Sequence, residues 1–155
     1  MIQAARYEQN EVISELIAAG ADINAENDVT AFDAAIVQKD SMDIVVNLYK
    51  NGARPSFVYK YRNESPLHYV EDPHVAQLLL MDPVFYSYIN HKDVLGNTPL
   101  MERISSGNYD VAKVYIENGA NTHIANKDGE TALDIARKRL QDFGHRKKKN
   151  LNLRK

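Results

Sequence analysis

Thr98-Pro99-Leu100-Met101 is the stretch on which the fold turns. A threonine ahead of a proline marks a helix start. The hydroxyl accepts from an early amide of the helix, and proline at the first helical position gives up an N–H that would have had no partner. The same order of a hydroxyl residue, a small residue or proline, and an apolar residue stands at Thr30-Ala31-Phe32-Asp33, Ser65-Pro66-Leu67-His68 and Thr131-Ala132-Leu133-Asp134, with spacings of 35, 33 and 33 residues. Helices are therefore predicted to start at Thr30, Ser65, Thr98 and Thr131.

A second landmark recurs about two thirds of the way through each period: Ala19-Gly20-Ala21-Asp22, Asn51-Gly52-Ala53-Arg54 and Asn118-Gly119-Ala120-Asn121. It is missing from the second period. Each follows an apolar run at helical spacing, such as Val12, Ile13, Leu16 and Ile17, or Val111, Val114 and Tyr115, which reads as the buried stripe of a helix. Glycine there suits a helix that must stop, because the left-handed C-terminal cap costs least without a β-carbon.

These two landmarks in register resemble the ankyrin repeat, in which a tight turn leads into Thr-Pro-Leu-His, a short helix, a second helix and a Gly-Ala-Asp return. The resemblance covers about residues 4–140 and implies an all-α solenoid of about three full repeats with partial units at both ends. The units fall at about 1–26, 27–58, 59–92, 93–125 and 126–144, followed by a basic segment, 145–155. No single repeat can bury its own apolar stripe, so stability must come from stacking. Met1 aligns with Leu100, so the first unit lacks its opening turn. Either the array starts there with a cap, or an upstream piece precedes it.

Composition agrees with one soluble array. The chain has 155 residues, 44% hydrophobic and 26% charged, with no cysteine and no tryptophan. Disulfide frameworks and thiolate metal sites are thus excluded, and no apolar run is long enough for a membrane span or an export signal. The expected location is cytoplasmic or at least intracellular, with the nucleus or a host cytosol as variants of that. The net charge of −2 hides an asymmetry: residues 137–155 hold nine basic side chains and one acid, Asp142, leaving about −10 on the rest.

Searches for chemistry come up empty. The five histidines, His68, His74, His91, His123 and His145, have neither metal-ligand spacing nor a partnered acid, and there is no Gly-rich phosphate loop. No pair of carboxylates is placed for acid–base work. The expectation is no enzyme, no metal and no cofactor. His68 stands at the family's own histidine position, which implies a group bracing the turn between repeats.

Departures from the pattern cluster in the second unit. Pro73 is expected to cut its first helix short and Asp82-Pro83 to end its second near Leu80, leaving Val84 to Asn90 as a long loop. Phe85, Tyr86, Tyr88 and Ile89 on that loop either fill the vacated space, the favoured reading, or form an exposed anchor. Arg103 replaces the small residue that Ala35 and Ala136 supply, and is expected to snorkel out beside Glu102 or toward Glu71. After Arg137-Lys138-Arg139-Leu140-Gln141-Asp142-Phe143, the basic segment forms either a capping helix with Leu151 and Leu153 facing inward or a loose tail.

The resemblance also implies where a partner would lie: the concave face formed by hairpin tips and first helices. The tips hold Glu26, Asn27 and Asp28; Tyr61, Arg62 and Glu64; Val94, Leu95 and Asn97; and Lys127, Asp128 and Glu130. The helices offer Arg6 and Tyr7, Gln38 and Lys39, Ser105 and Ser106, and Lys138 and Arg139. Tyr61, Arg62 and Leu95 are the expected anchors, since they combine area with polar reach or have no evident structural duty.

The leading expectation is a protein–protein interaction module, free-standing or part of a larger scaffold, signalling protein or effector, and monomeric. A second reading is nucleic-acid or anionic-membrane binding through Arg146-Lys147-Lys148-Lys149 with Arg154-Lys155. A third makes the array a passive segment of an enzyme or channel.

Overall fold

A computed structural model describes residues 1–7, 9–25, 30–38, 42–55 and 61–152, with side chains for all of these except Arg6 and residues 143–152. It contains helices α1 (Ile2–Arg6), α2 (Asn10–Ala18), α3 (Ala31–Ile36), α4 (Met42–Lys50), α5 (Pro73–Leu80), α6 (Pro83–Tyr86), α7 (Pro99–Ser106), α8 (Tyr109–Glu117) and α9 (Ala132–Asn152), with a 3-10 turn at Pro66–His68. No strand of a sheet lies among the described residues.

The helices form two layers. In one, α1 packs on α3, the 3-10 turn on α7, and α7 on α9. In the other, α2 packs on α4, α4 on α5, and α5 on α8. Neighbouring units thus bury each other's stripes, and one continuous core runs through Ile13, Phe32, Leu48, Leu67, Leu79, Leu100 and Tyr115.

Every helix start expected from the repeat is present. At Thr30 the cap is reciprocal: the Asp33 amide donates to Thr30 Oγ1 at 3.1 Å, while the Thr30 amide and hydroxyl each donate to Asp33 Oδ2 at 2.9 Å. Thr131 and Asp134 repeat the arrangement. At Thr98 the third residue is Met101, whose sulfur is a poor substitute, and the cap loosens to 3.4 Å and 3.5 Å. The helix ends are equally regular. Gly52 lies at φ +87°, where the Ala53 amide reaches the Leu48 carbonyl at 2.9 Å and the Gly52 amide the Tyr49 carbonyl at 3.0 Å.

Within the expected stripes, Ile13, Val111 and Tyr115 are buried, but Val12 is exposed and Leu16, Ile17 and Val114 are only half covered. Val12 lies on α2, which among the described helices of its layer has a neighbour on one side only, so part of its surface has nothing to pack on.

The second unit and the third unit stacked on it depart from expectation in three ways. The second unit's first helix is not cut by Pro73 but shrinks to the single 3-10 turn, ending at His68; Pro73 instead opens α5, with the Asp72 carboxylate accepting from the His74 and Val75 amides at 2.7 and 3.0 Å. Residues 84–90 are not all loop. Pro83 occupies the first helical position, and the Asp82 carboxylate caps α6 by accepting from the Val84 amide at 2.9 Å. From α6, Phe85 (1% exposed) wedges between Phe32 and Tyr49, with ring centroids 5.7 and 5.9 Å away. Phe85 and Ile89 therefore fill space in the core, while Tyr86 stays outside.

Arg103 is the third departure. It does not snorkel to solvent but is buried, donating from Nη2 to the His68 carbonyl at 2.6 Å and from Nη1 to the Val70 carbonyl at 3.1 Å. These carbonyls lie in the stretch that is still helical in α3 and α7. Tyr115 adds a bond from its hydroxyl to the Leu67 carbonyl at 2.6 Å, and Asn108 one to the Glu71 carbonyl at 2.6 Å. Side chains of the third unit thus complete the hydrogen bonding that the second unit's missing turn leaves open.

Helix α9 runs unbroken from Ala132 past Gly144 to Asn152, so the expected division at residue 144 does not coincide with a break in the backbone. The inward orientation proposed for Leu151 and Leu153 lies outside the described side chains.

Candidate protein-binding surface

The tips build the surface from the backbone outward. In the third tip the Asp93 carboxylate accepts from the Leu95 and Asn97 amides at 2.8 and 2.7 Å, and Gly96 turns the chain at φ +80°. In the fourth, Asn126 Oδ1 plays the same part for the Asp128 and Glu130 amides, at 3.0 and 2.9 Å. Each short side chain thus holds its own turn closed. Among the described residues, neighbouring tips are then joined through the backbone, Val94 amide to Arg62 carbonyl and Lys127 amide to Leu95 carbonyl, both 2.9 Å.

Side chains brace this row from beneath. The His68 ring accepts the Ser65 amide at Nδ1 (3.1 Å), so its Nε2 carries the proton and faces the Asn97 carbonyl at 3.2 Å. Burial pushes its pKa below the ordinary histidine value, with the Asn97 carbonyl partly opposing that shift. His68 is therefore a neutral strut between two tips, the role the resemblance implied. Asn63 adds a bond to the Lys92 carbonyl at 2.7 Å, and His91 one to the Asn63 carbonyl at 2.9 Å.

On this scaffold the expected partner-binding residues separate into groups. Tyr61 (93% exposed) and Leu95 (56% exposed) project from adjacent tips, with Val94 beside Leu95 and Lys127 and Asp128 on the next tip. Arg62 is also exposed, but its Nε lies 3.4 Å from the buried Glu64 carboxylate, which also accepts from the Tyr69 hydroxyl. Arg62 is tied to the core by that pair. Asn97 faces its neighbours, taking the His68 and Asp93 donors on its carbonyl and an Asn126 amide on its side chain at 3.0 Å.

Asn97, Ser105, Asp128, Glu130, Lys138 and Arg139 come together around a shallow groove of about 320 Å³ between the last two tips and helices α7 and α9. Both of its cations are engaged within the chain. Lys138 pairs with Glu130, holding that carboxyl below its ordinary range and being raised in return. Arg139 donates to the Ser105 and Ser106 carbonyls, the latter at 3.1 Å. Tyr7 is exposed at the end of α1, away from the tips, and Gln38 lines a different cleft. Lys39, and the first tip at Glu26 to Asp28, lie outside the described residues, as does the Arg6 side chain. Among the described residues no group of three or more His, Asp or Glu side chains could hold a metal, and no described helix is long and apolar enough to cross a membrane.

Residues 95–127 match the Ankyrin repeat family, a stretch running from one tip to the next and closed by the Leu95–Lys127 backbone bond. This stretch is an ankyrin repeat. The mouse Ankyrin repeat domain-containing protein 37 is 29% identical over 94 residues, covering 61% of this chain and 59% of that protein. The Putative ankyrin repeat protein YahD of Escherichia coli (strain K12) is 29% identical over 146 residues, 88% of this chain and 71% of that one. A bovine protein named Mitochondrial disaggregase is 29% identical over 146 residues, but these are only 21% of its length. The chain thus spans about a fifth of that relative and about three fifths of the mouse one. Ankyrin repeats generally serve protein–protein interaction, and stacked repeats of this kind create extended binding surfaces.

Proposed function

We propose that this ankyrin array holds a protein partner along its hairpin tips and the neighbouring exposed sides of its first helices, with Tyr61 and Leu95 as anchors. The observation that carries the reading is the exposure of these two large side chains on adjacent tips whose backbones are tightly braced. An aromatic ring and an aliphatic side chain held outward on a rigid frame lose little entropy when a partner covers them. Val94, Lys127 and Asp128 form the rim of that patch. Arg62 contributes through its exposed guanidinium while remaining tied to Glu64.

The test is affinity capture from cell lysate with three forms: the intact chain, Tyr61→Ala with Leu95→Ala, and a variant with Arg146, Lys147, Lys148 and Lys149 all changed to Gln. Arg62 is left in place so that Glu64 keeps its partner. A protein retained by the intact and Gln variants but lost by the tip variant supports the tips as the binding surface. Loss from the Gln variant alone assigns binding to the basic segment and sinks the reading.

A further inference from the structure

The shortened second unit leaves a notch at the far ends of the first helices, about 12 Å from the tips by the length of α7. Where α3 continues for about three residues more and α7 for about five, the second unit has already left the helical path after His68. The result is a cleft of about 670 Å³, within the range of pockets that hold ligands. Ile36, Val45, Val70 and Val75, all buried, contribute its apolar lining, and Met42 lies at its exposed margin.

The ionisable side chains among its described lining residues are all acidic, with the Arg139 guanidinium lying against Gly107 at one wall. Asp43, Glu71 and Asp72 line it, and none of the described lining residues is basic. The Asp72 carboxylate is committed to capping α5, so the exposed carboxylates of Asp43 and Glu71 set the character of the rim. The walls are braced, with Arg103 holding the Val70 carbonyl and Asn108 the Glu71 carbonyl. The Val70–Glu71 wall is therefore preformed.

We propose that this cleft is a second docking site, taking an extended peptide segment of a partner protein that carries lysine or arginine beside an apolar side chain. The apolar side chain would pack against Met42, the exposed apolar side chain of the lining, and release the water held there. The flanking cation would lie against Asp43 and Glu71, where the low-dielectric wall of the cleft strengthens the attraction relative to open surface. Nothing in this requires the tips, so the site stands or falls independently of the proposed function.

The probe is a fluorescein-labelled Arg-Leu-Arg-Leu-Arg peptide titrated into the full chain by fluorescence anisotropy. Its counterparts carry Glu in place of Arg, or Ser in place of Leu. Two charge-matched variants are compared, Asp43→Asn with Glu71→Gln in the cleft and Asp110→Asn with Glu117→Gln on the exposed face of α8, each checked for fold by circular dichroism. The expected result is saturable binding of the Arg-Leu peptide, weakened by about tenfold or more in the cleft variant and by less than about twofold in the α8 variant, with both counterpart peptides binding worse. Equal weakening by the two variants means attraction to overall negative charge and overturns the proposal, as does no binding at all. Self-association of the chain that the cleft variant abolishes makes the occupant another copy's basic segment, and overturns the separate partner.

Discussion

Arg103 donates to the main-chain carbonyl of His68 at 2.6 Å, one full repeat away in sequence. A second bond to the Val70 carbonyl and an Nε without a hydrogen-bond partner complete its surroundings. Replacing Arg103 with methionine keeps most of the volume but strips two buried carbonyls of their donors, at a cost of about 1–3 kcal/mol. Urea unfolding should register that loss. Arg103→Lys should also destabilise, because an ammonium cannot span both carbonyls with a planar fork. A methionine variant as stable as the parent would show that the bond pair contributes nothing net.

Phe85 and Tyr86 are adjacent on α6 and point to opposite environments. Phe85→Ala empties the space between Phe32 and Tyr49 and should cost about 3–5 kcal/mol. Tyr86→Ala removes an exposed ring and should stay within about 0.5 kcal/mol. Thermal melting of the two single variants checks both values.

His68 gives the array an acid sensitivity of known sign. Its folded-state pKa is held below the unfolded value of about 6.5, chiefly by burial. Below about pH 6.5 the unfolded chain takes up a proton that the folded chain refuses, so stability is full above that pH and falls as pH drops through it. His68→Asn, whose amide can still accept from Ser65, should flatten the fall between pH 6.5 and the lower folded-state value. Melting temperatures measured across this window, compared with the parent, isolate His68 from the other histidines.

Gly52 and Gly96 both lie in the left-handed region, at φ +87° and +80°, but their surroundings differ. A β-carbon at Gly52 meets nothing within 4 Å, so Gly52→Ala should cost only the conformational penalty of about 1 kcal/mol. At Gly96 the same atom would come within 3.0 Å of the Lys127 backbone nitrogen, the one that bonds to Leu95. Gly96→Ala should therefore cost more and loosen the joint between the last two tips. Amide exchange at Lys127, faster in Gly96→Ala than in Gly52→Ala, is the expected signature.

The repeat register was legible in the sequence because it rests on local chemistry: hydroxyl caps at Thr30 and Thr131, and glycine shortly after α2, α4 and α8. The fate of Arg103 was not. Its destination depends on a helical turn missing 33 residues upstream, and position alone suggested a side chain reaching for solvent. Helix α6 was hidden for a related reason, since Asp82-Pro83 ends one helix and caps the next with the same two residues. Among the candidate surface residues, spacing placed Tyr61 and Leu95 on the tips. It could not show that Asn97, Lys138 and Arg139 spend their polar groups within the chain, which follows from how close the stacked units come.

A stack of interchangeable units has a counting problem, because one unit's helices can sit on another's neighbour almost as well as on their own. Arg103 makes one joint unlike the rest. Its guanidinium matches a unit with open carbonyls where α3 has closed its helical bonds, so setting α7 against α3 would bury a charge with nothing to receive it. The irregular second unit thereby acts as a key cut for one lock, and the order of the repeats is written into the chain at the place where the repeat pattern fails.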